Sequence, residues 1–313
     1  MSCRYQEENR FEYGKQIRLL TLENERIAVQ IEPWDGGRVT RLFDKTKDHE
    51  HIWTNPRTRH LSRFYAANYD DLSNSGIEEA FPTVGTCRYE EAILPFFGEI
   101  WSVPWDYQVL IASEKEISLQ LACYCSIFPA RITKTISMYA DQPKMKVEYE
   151  IENVGAEEFS YVFGVHPSIC LSPTTQIKMP EEEYQINYQF PIDLETIQTF
   201  SWPYFGRFDL SESGRPDDNR CISFLSSQVG SGIYTFSDVR SKSGLAIEFD
   251  HRFFRCLSIW LIYGGWRGHY CAMTEFFTSW PAALDEAKEA GLARKLQKQE
   301  VDRTSITYSI FSI

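Results

Sequence analysis

The chain has 313 residues, of which 43% are hydrophobic, 15% aromatic and 24% charged. That much aromatic surface excludes a disordered chain, the charge content excludes a membrane bundle, and 17 Gly and 14 Pro scattered without period exclude a collagen-like repeat. With 32 basic against 44 acidic residues and no Lys/Arg-rich run, there is no basic face for a nucleic acid or an anionic membrane, and neither partner is expected.

The opening residues, MSCRYQEENRFEYGKQIR, lack the apolar core of a secretion signal, and no later stretch reaches the ~18 apolar residues of a membrane span. Eight cysteines are spread through the chain with no Cys-x-x-Cys, and no Asn-x-Ser/Thr sequon occurs. A cytoplasmic protein with reduced thiols is expected. Trp34-Asp35-Gly36-Gly37 reads as the first turn, after a short β-branched run over 26–31. Runs of the same character follow at 107–112, 117–125 and 132–139. Lys144-Met145-Lys146-Val147-Glu148-Tyr149-Glu150-Ile151-Glu152 alternates strictly, which puts Met145, Val147, Tyr149 and Ile151 on one face of a strand. Further runs are 159–165, 233–236, 245–249, 257–262 and 305–310, separated by Gly, Pro, Asn and Asp clusters. Residues 172–220 read as an irregular, elaborated loop region. One helix is predicted over 281–290, capped by Ser279 or a neighbour, with Pro281 in its first turn and Gly291 ending it. Strands without intervening helices predict an all-β fold, a large antiparallel β-sandwich. Such sandwiches often exceed ~200 residues as one unit, and a single domain over 1–313 is expected.

No Walker A, Gly-x-Ser-x-Gly or His-Glu-x-x-His motif occurs. Asp71-x-Ser73-x-Ser75-Gly76 opens like a calcium loop, but the acidic position twelve is Pro82. Tyr263-Gly264-Gly265-Trp266 reads as a turn. Among the histidines, His49 and His51 lie in a polar turn and are expected at the surface. His166 follows an apolar strand and precedes Pro167, so its ring is either a structural group or points into whatever concavity the sheet forms. Glu275 sits between apolar neighbours, where a carboxylate is costly unless paired. It is a general-base candidate, an arginine partner, or a solvent-facing residue of an edge strand.

Several segments, in order, resemble the aldose 1-epimerase (galactose mutarotase-like) superfamily over roughly residues 20 to 310. They are Trp34-Asp35-Gly36-Gly37-Arg38-Val39-Thr40-Arg41-Leu42 with Ile52-Trp53; Asn74-Ser75-Gly76-Ile77-Glu78-Glu79-Ala80-Phe81-Pro82; Phe97-Gly98-Glu99-Ile100-Trp101-Ser102-Val103-Pro104-Trp105; Gly164-Val165-His166-Pro167; and Met273-Thr274-Glu275 before the predicted helix. The resemblance implies a β-supersandwich and an isomerase acting on a monosaccharide or sugar derivative without a cofactor or a metal. It implies that Glu275 removes the proton of the anomeric hydroxyl and His166 protonates the ring oxygen, with a pyranose ring held between them. Asn74, Glu78, Phe97, Trp101 and Trp260 are the implied substrate-binding positions, with Trp266 a further stacking candidate. Two residues depart from the pattern: Phe97 stands where many members carry a second histidine, and Asn74 where members often carry arginine. The alternative is a non-catalytic carbohydrate-binding or regulatory protein on the same fold.

Overall fold

Alternation of buried and exposed side chains builds two large antiparallel sheets. The computed structural model describes every residue except 1, 13, 59–60, 73–74, 192–193 and 196, so Asn74 and His60 lie outside the described residues. In spatial order, the twelve-stranded sheet runs Arg4–Glu12, Lys15–Glu23, Ile27–Glu32, Arg38–Asp44, Ile77–Ala80, Gly164–Cys170, Tyr270–Phe277, Cys256–Tyr263, Arg220–Ser226, Glu183–Phe190 and Thr199–Ser201, with His49–Glu50 paired to Arg38–Asp44. The eight-stranded sheet runs Thr175–Lys178, Ile233–Asp238, Ser243–Phe249, Val301–Ser312, Lys144–Asn153, Ala130–Tyr139, Glu116–Tyr124 and Asp106–Ala112. Helix is confined to Tyr69–Leu72 and Leu284–Glu289 among the described residues. This is the all-β sandwich expected from the period of two.

The sheets pack face to face. Met145, Val147, Tyr149 and Ile151 are all buried, as their alternation predicts. Phe249 of the smaller sheet stacks on Phe276 of the larger, with ring centroids 4.9 Å apart, and the Tyr234 hydroxyl donates to Thr274 Oγ1 at 2.8 Å. The interior also holds an ion pair: Lys134, fully buried, donates to both oxygens of Glu79 at 2.8 and 2.9 Å, and Tyr149 donates to Glu79 at 2.8 Å. Thr274, Phe276 and Glu79 therefore face inward. Period two then sends Glu275 and Glu78 to the opposite, outer face.

Three expectations need correction. The predicted helix over 281–290 shrinks to Leu284–Glu289: Ala283 is its N-cap without a side-chain bond, and the Ser279 hydroxyl donates to the Pro281 carbonyl instead. Gly291, with φ of +69°, does end the turn that follows it. The region 172–220 contains Thr175–Lys178 and Glu183–Phe190, strands of both sheets, besides shorter pieces. Glu183–Phe190 lies near the edge of its sheet, where few side chains are buried on either face, so the alternation that signals a strand is weak. His51 is buried rather than at the surface: its Nε2 pairs with Ser243 Oγ at 3.0 Å, beneath the Ser243–Phe249 strand. The polar letters around it conceal a bridge from Ile52 to Ile169 that pulls this segment onto the sheet.

Candidate active site

Four neighbouring strands of the larger sheet bring one row of polar side chains to its outer face. Glu78 on Ile77–Ala80 is the register partner of His166 on Gly164–Cys170. Gly164 pairs with Phe277 and Val165 with Phe276, so His166 falls beside Glu275 on Tyr270–Phe277. Ser258 on Cys256–Tyr263 is the partner of Glu275 on the far side. The row reads Glu78, His166, Glu275, Ser258.

His166 Nε2 lies 3.0 Å from Glu275 Oε1, with the side chains 1% and 15% exposed. This is a contact without hydrogen-bond alignment, and Nε2 has no hydrogen-bond partner among the described residues. The expected separation by a pyranose ring is thus corrected to direct contact. The reason is the register: cross-strand neighbours on one face stand about 4.5–5.5 Å apart at Cβ, and a carboxylate and an imidazole at that spacing reach each other.

Behind this pair lies a chain of buried polar groups. The Tyr69 hydroxyl donates to Glu78 Oε2 at 2.9 Å. Having one proton to give, the same oxygen is left to accept from His166 Nδ1 at 3.3 Å. Burial, and then the Glu78 and Glu275 carboxylates, raise the Tyr69 pKa well above the ordinary phenol value, so it stays a donor. Arg38 Nη1 donates to Glu78 Oε1 at 3.3 Å, and Arg38 and Arg63 both pair with Asp35. Although burial opposes it, the Asp35 pKa is held below the usual carboxylate range by these two guanidiniums.

In front of Glu275 opens a cleft of about 560 Å³, lined by Phe96, Phe97, Trp260, Trp280 and Asn187 among others. Phe97 stacks on the Tyr69 ring at 3.8 Å and meets the His166 ring edge-on at 5.4 Å. It reaches this place through a left-handed backbone, φ +66°, followed by Gly98 at +71°. A side chain at Gly98 would collide with the Phe81 carbonyl, so only glycine fits there. Trp260 lines the cleft and stacks on Tyr188 at 5.4 Å. Trp266 packs on Trp260 at 5.9 Å and on His269 at 5.3 Å, one step along the same face. His269 is buried there, its Nδ1 3.3 Å from Arg57, and its pKa is lowered to about 4 by burial and by Arg57 and Arg267.

Of the sequence-derived candidates, Glu275, Phe97 and Trp260 line the cleft, and His166 is buried behind them, in contact with Glu275 and edge-on to Phe97. Glu78 and Trp101 are fully buried in the layer behind, Glu78 held by Tyr69 and Arg38, and Trp101 edge-on to Tyr69 at 5.0 Å. Neither is among the residues that line the cleft. Tyr69, Arg38, Arg63 and Asp35 were not foreseen. The one available signal was Asn68 before Tyr69-Asp70-Asp71, an N-cap whose Oδ1 accepts from the Asp71 N–H at 3.1 Å, but a single turn has no period to read.

No protein-family model matches the sequence, and no curated protein matches it. Solved structures do. A candidate aldose 1-epimerase from Klebsiella pneumoniae is 13% identical, with a TM-score of 0.76 over 100% of this chain and 85% of its own. A galactose mutarotase-like protein from Clostridium acetobutylicum is 15% identical, with a TM-score of 0.71 over 100% and 99%. A Synechocystis protein is 16% identical, with a TM-score of 0.71 over 94% and 96%. At such identities the likeness is one of architecture, and the architecture of this chain is the galactose mutarotase-like β-sandwich.

Proposed function

We propose that the protein is a cytoplasmic sugar isomerase that interconverts the anomers of an aldose or aldose derivative, with Glu275 and His166 as its acid–base pair. One observation carries this: the contact of His166 Nε2 with Glu275 Oε1 at 3.0 Å, at the base of an aromatic-walled cleft. Opening a pyranose ring requires removal of the anomeric hydroxyl proton and protonation of the ring oxygen, and closure reverses both transfers. Glu275, the more exposed of the two, takes the hydroxyl proton. His166, with Nδ1–H fixed by Tyr69, delivers its Nε2 proton to the ring oxygen. The sugar therefore has to part the pair as it enters, replacing their mutual contact with one contact to each. Trp260 and Phe97 offer aromatic faces of the kind on which the apolar face of a sugar stacks. Eight unpaired cysteines fit a reducing compartment.

A second reading is favoured by the same contact together with Phe97. An acid and a base that neutralise each other, with an apolar ring over the imidazole, could hold a sugar without turning it over. Anomer-resolved NMR on freshly dissolved aldoses separates the two. Isomerase action predicts conversion faster than buffer for at least one sugar that binds, abolished in Glu275→Gln and His166→Asn with affinity changed by no more than about 1–2 kcal/mol. Buffer rates for every sugar that binds would leave only the binding reading.

A further inference from the structure

The cleft in front of Glu275 does not end at its aromatic wall. Trp280 lines it on one side and, on the other, lines a second cleft of about 500 Å³. The two are consecutive along one strand face: Cys256 lines the second, while Ser258 and Trp260, two and four residues on, line the first. Their charges are opposite. Among the described residues, the first cleft carries Glu275 and Glu286 and no lysine or arginine. The second carries His251, Arg252 and Arg255 and no carboxylate. Asp250, beside them in sequence, is turned to its own loop, where Oδ1 accepts the Arg252 backbone N–H at 2.9 Å.

Arg255 is held in place by two neutral acceptors. Its Nε donates to the Thr278 carbonyl at 3.2 Å and its Nη2 to the Leu292 carbonyl at 2.7 Å. These bonds fix the guanidinium plane without cancelling its charge, and among the described residues Nη1 has no hydrogen-bond acceptor, so it can meet an anion. Along the chain Arg255 lies three residues before Ser258, the register partner of Glu275, or about 10 Å in strand units. That is beyond the reach of one pyranose ring bound at Glu275 and within the reach of a second ring attached to it.

We infer that the second cleft is a subsite for an anionic group on the distal ring of the substrate, so that the preferred ligand is a reducing disaccharide whose far unit carries a carboxylate or a phosphate ester. The inference rests on the proposed function for its orientation: the free anomeric centre must lie at Glu275, so the extension leaves from the other end and crosses Trp280. A single charged monosaccharide gains nothing from Arg255, and a neutral disaccharide gains only the contact with Trp280.

The test is calorimetric titration at low salt with three reducing disaccharides that differ in the distal ring: a hexuronate, a hexose phosphate ester and a neutral hexose. At least one acidic ligand should bind about tenfold or more tightly than the neutral one, the scale of one charge-assisted hydrogen bond. The gap should narrow in Arg252→Gln, close in Arg252→Gln/Arg255→Gln, and shrink as salt is raised. Which of the two acids is preferred identifies the source of the anion. The inference is overturned if the neutral disaccharide binds as tightly as both acids, or if the gap persists in the double variant. Because Arg255 also bonds the backbone, the Arg252→Gln arm supports the inference even if the double variant is poorly folded, and an unchanged gap in that single variant overturns it. Anomer NMR on unmodified monosaccharides with the wild-type protein keeps the two readings apart. An arginine-dependent gap without turnover removes the isomerase and keeps the subsite, while turnover without a gap does the reverse.

Discussion

Replacing Tyr69 by Phe removes one oxygen from the site and nothing else of size. The ring, its stack on Phe97 at 3.8 Å and its edge contact with Trp101 at 5.0 Å are all retained. Two polar contacts disappear: the 2.9 Å bond to Glu78 and the 3.3 Å contact with His166 Nδ1. Glu78 is fully buried and keeps Arg38, so it stays partly satisfied. A hydrogen bond to a buried charged group contributes about 1.5–3 kcal/mol, which puts the expected loss near 2 kcal/mol. Thermal unfolding should fall by about 3 °C at this chain length, and the urea midpoint should fall with an unchanged slope. Under the proposed function Tyr69 is a positioning residue, so activity should also respond through the imidazole. Anomer conversion should slow by about tenfold, short of the ~10²–10⁴-fold that a whole acid–base partner supplies, and its pH profile should shift because Nδ1 has lost its partner. A variant with wild-type stability and an unshifted pH profile would falsify the proposed link from Glu78 through Tyr69 to His166.

Two further outcomes are expected. Lys134→Met strands the buried Glu79 carboxylate and should cost about 3–5 kcal/mol, with Lys134→Met/Glu79→Gln recovering most of it in a denaturant double-mutant cycle. Burial already raises the Glu79 pKa, so the native state binds protons more readily than the unfolded chain; the single variant's deficit should grow as pH rises and ease toward acid. The His51 pKa is lowered to about 3 by burial and by His49, against an ordinary 6.5. The native state therefore takes up fewer protons than the unfolded chain below about pH 6.5, and stability should fall as pH drops from there toward 3; a His51→Asn variant that fell as steeply over that range would show that His51 is not the cause.

What the sequence discloses about the fold follows from which strands have one wet face. Lys144–Asn153 lies inside the smaller sheet with its other face toward solvent, and its residues alternate strictly in burial. Arg4–Glu12 is an edge strand exposed on both faces, and Gly164–Cys170 and Arg220–Ser226 are buried on both. Neither situation leaves a period of two, which is why these strands are faint in the sequence or blur into their neighbours. The site divides in the same way. His166 and Glu275 stand out because each is a polar residue in an apolar run. Arg38, Arg63 and Tyr69 reach Glu78 or His166 from a strand, a loop and a helical turn 9 to 97 residues away, and no local pattern encodes such meetings.

The strand Ile77–Ala80 also bears on the proposal that Glu275, rather than its acidic neighbours, is the reacting group. Glu78 and Glu79 are consecutive, so they point to opposite faces, and each meets a cation: Arg38 on the outer side, Lys134 in the interior. Behind His166, Asp35 and Glu78 are paired with Arg38 and Arg63, two negative charges with two positive ones. A cation left uncompensated there would repel an imidazolium, and an uncompensated anion would compete with Glu275 for it. With those charges paired among themselves, Glu275, 3.0 Å in front, is the carboxylate in contact with the His166 ring. Glu275 is in turn the one carboxylate of this row with a side exposed to the cleft. A ligand arriving there meets a carboxylate that has only to release one imidazole contact, whereas engaging Glu78 or Glu79 would require opening a buried ion pair, at a cost of several kcal/mol per ion.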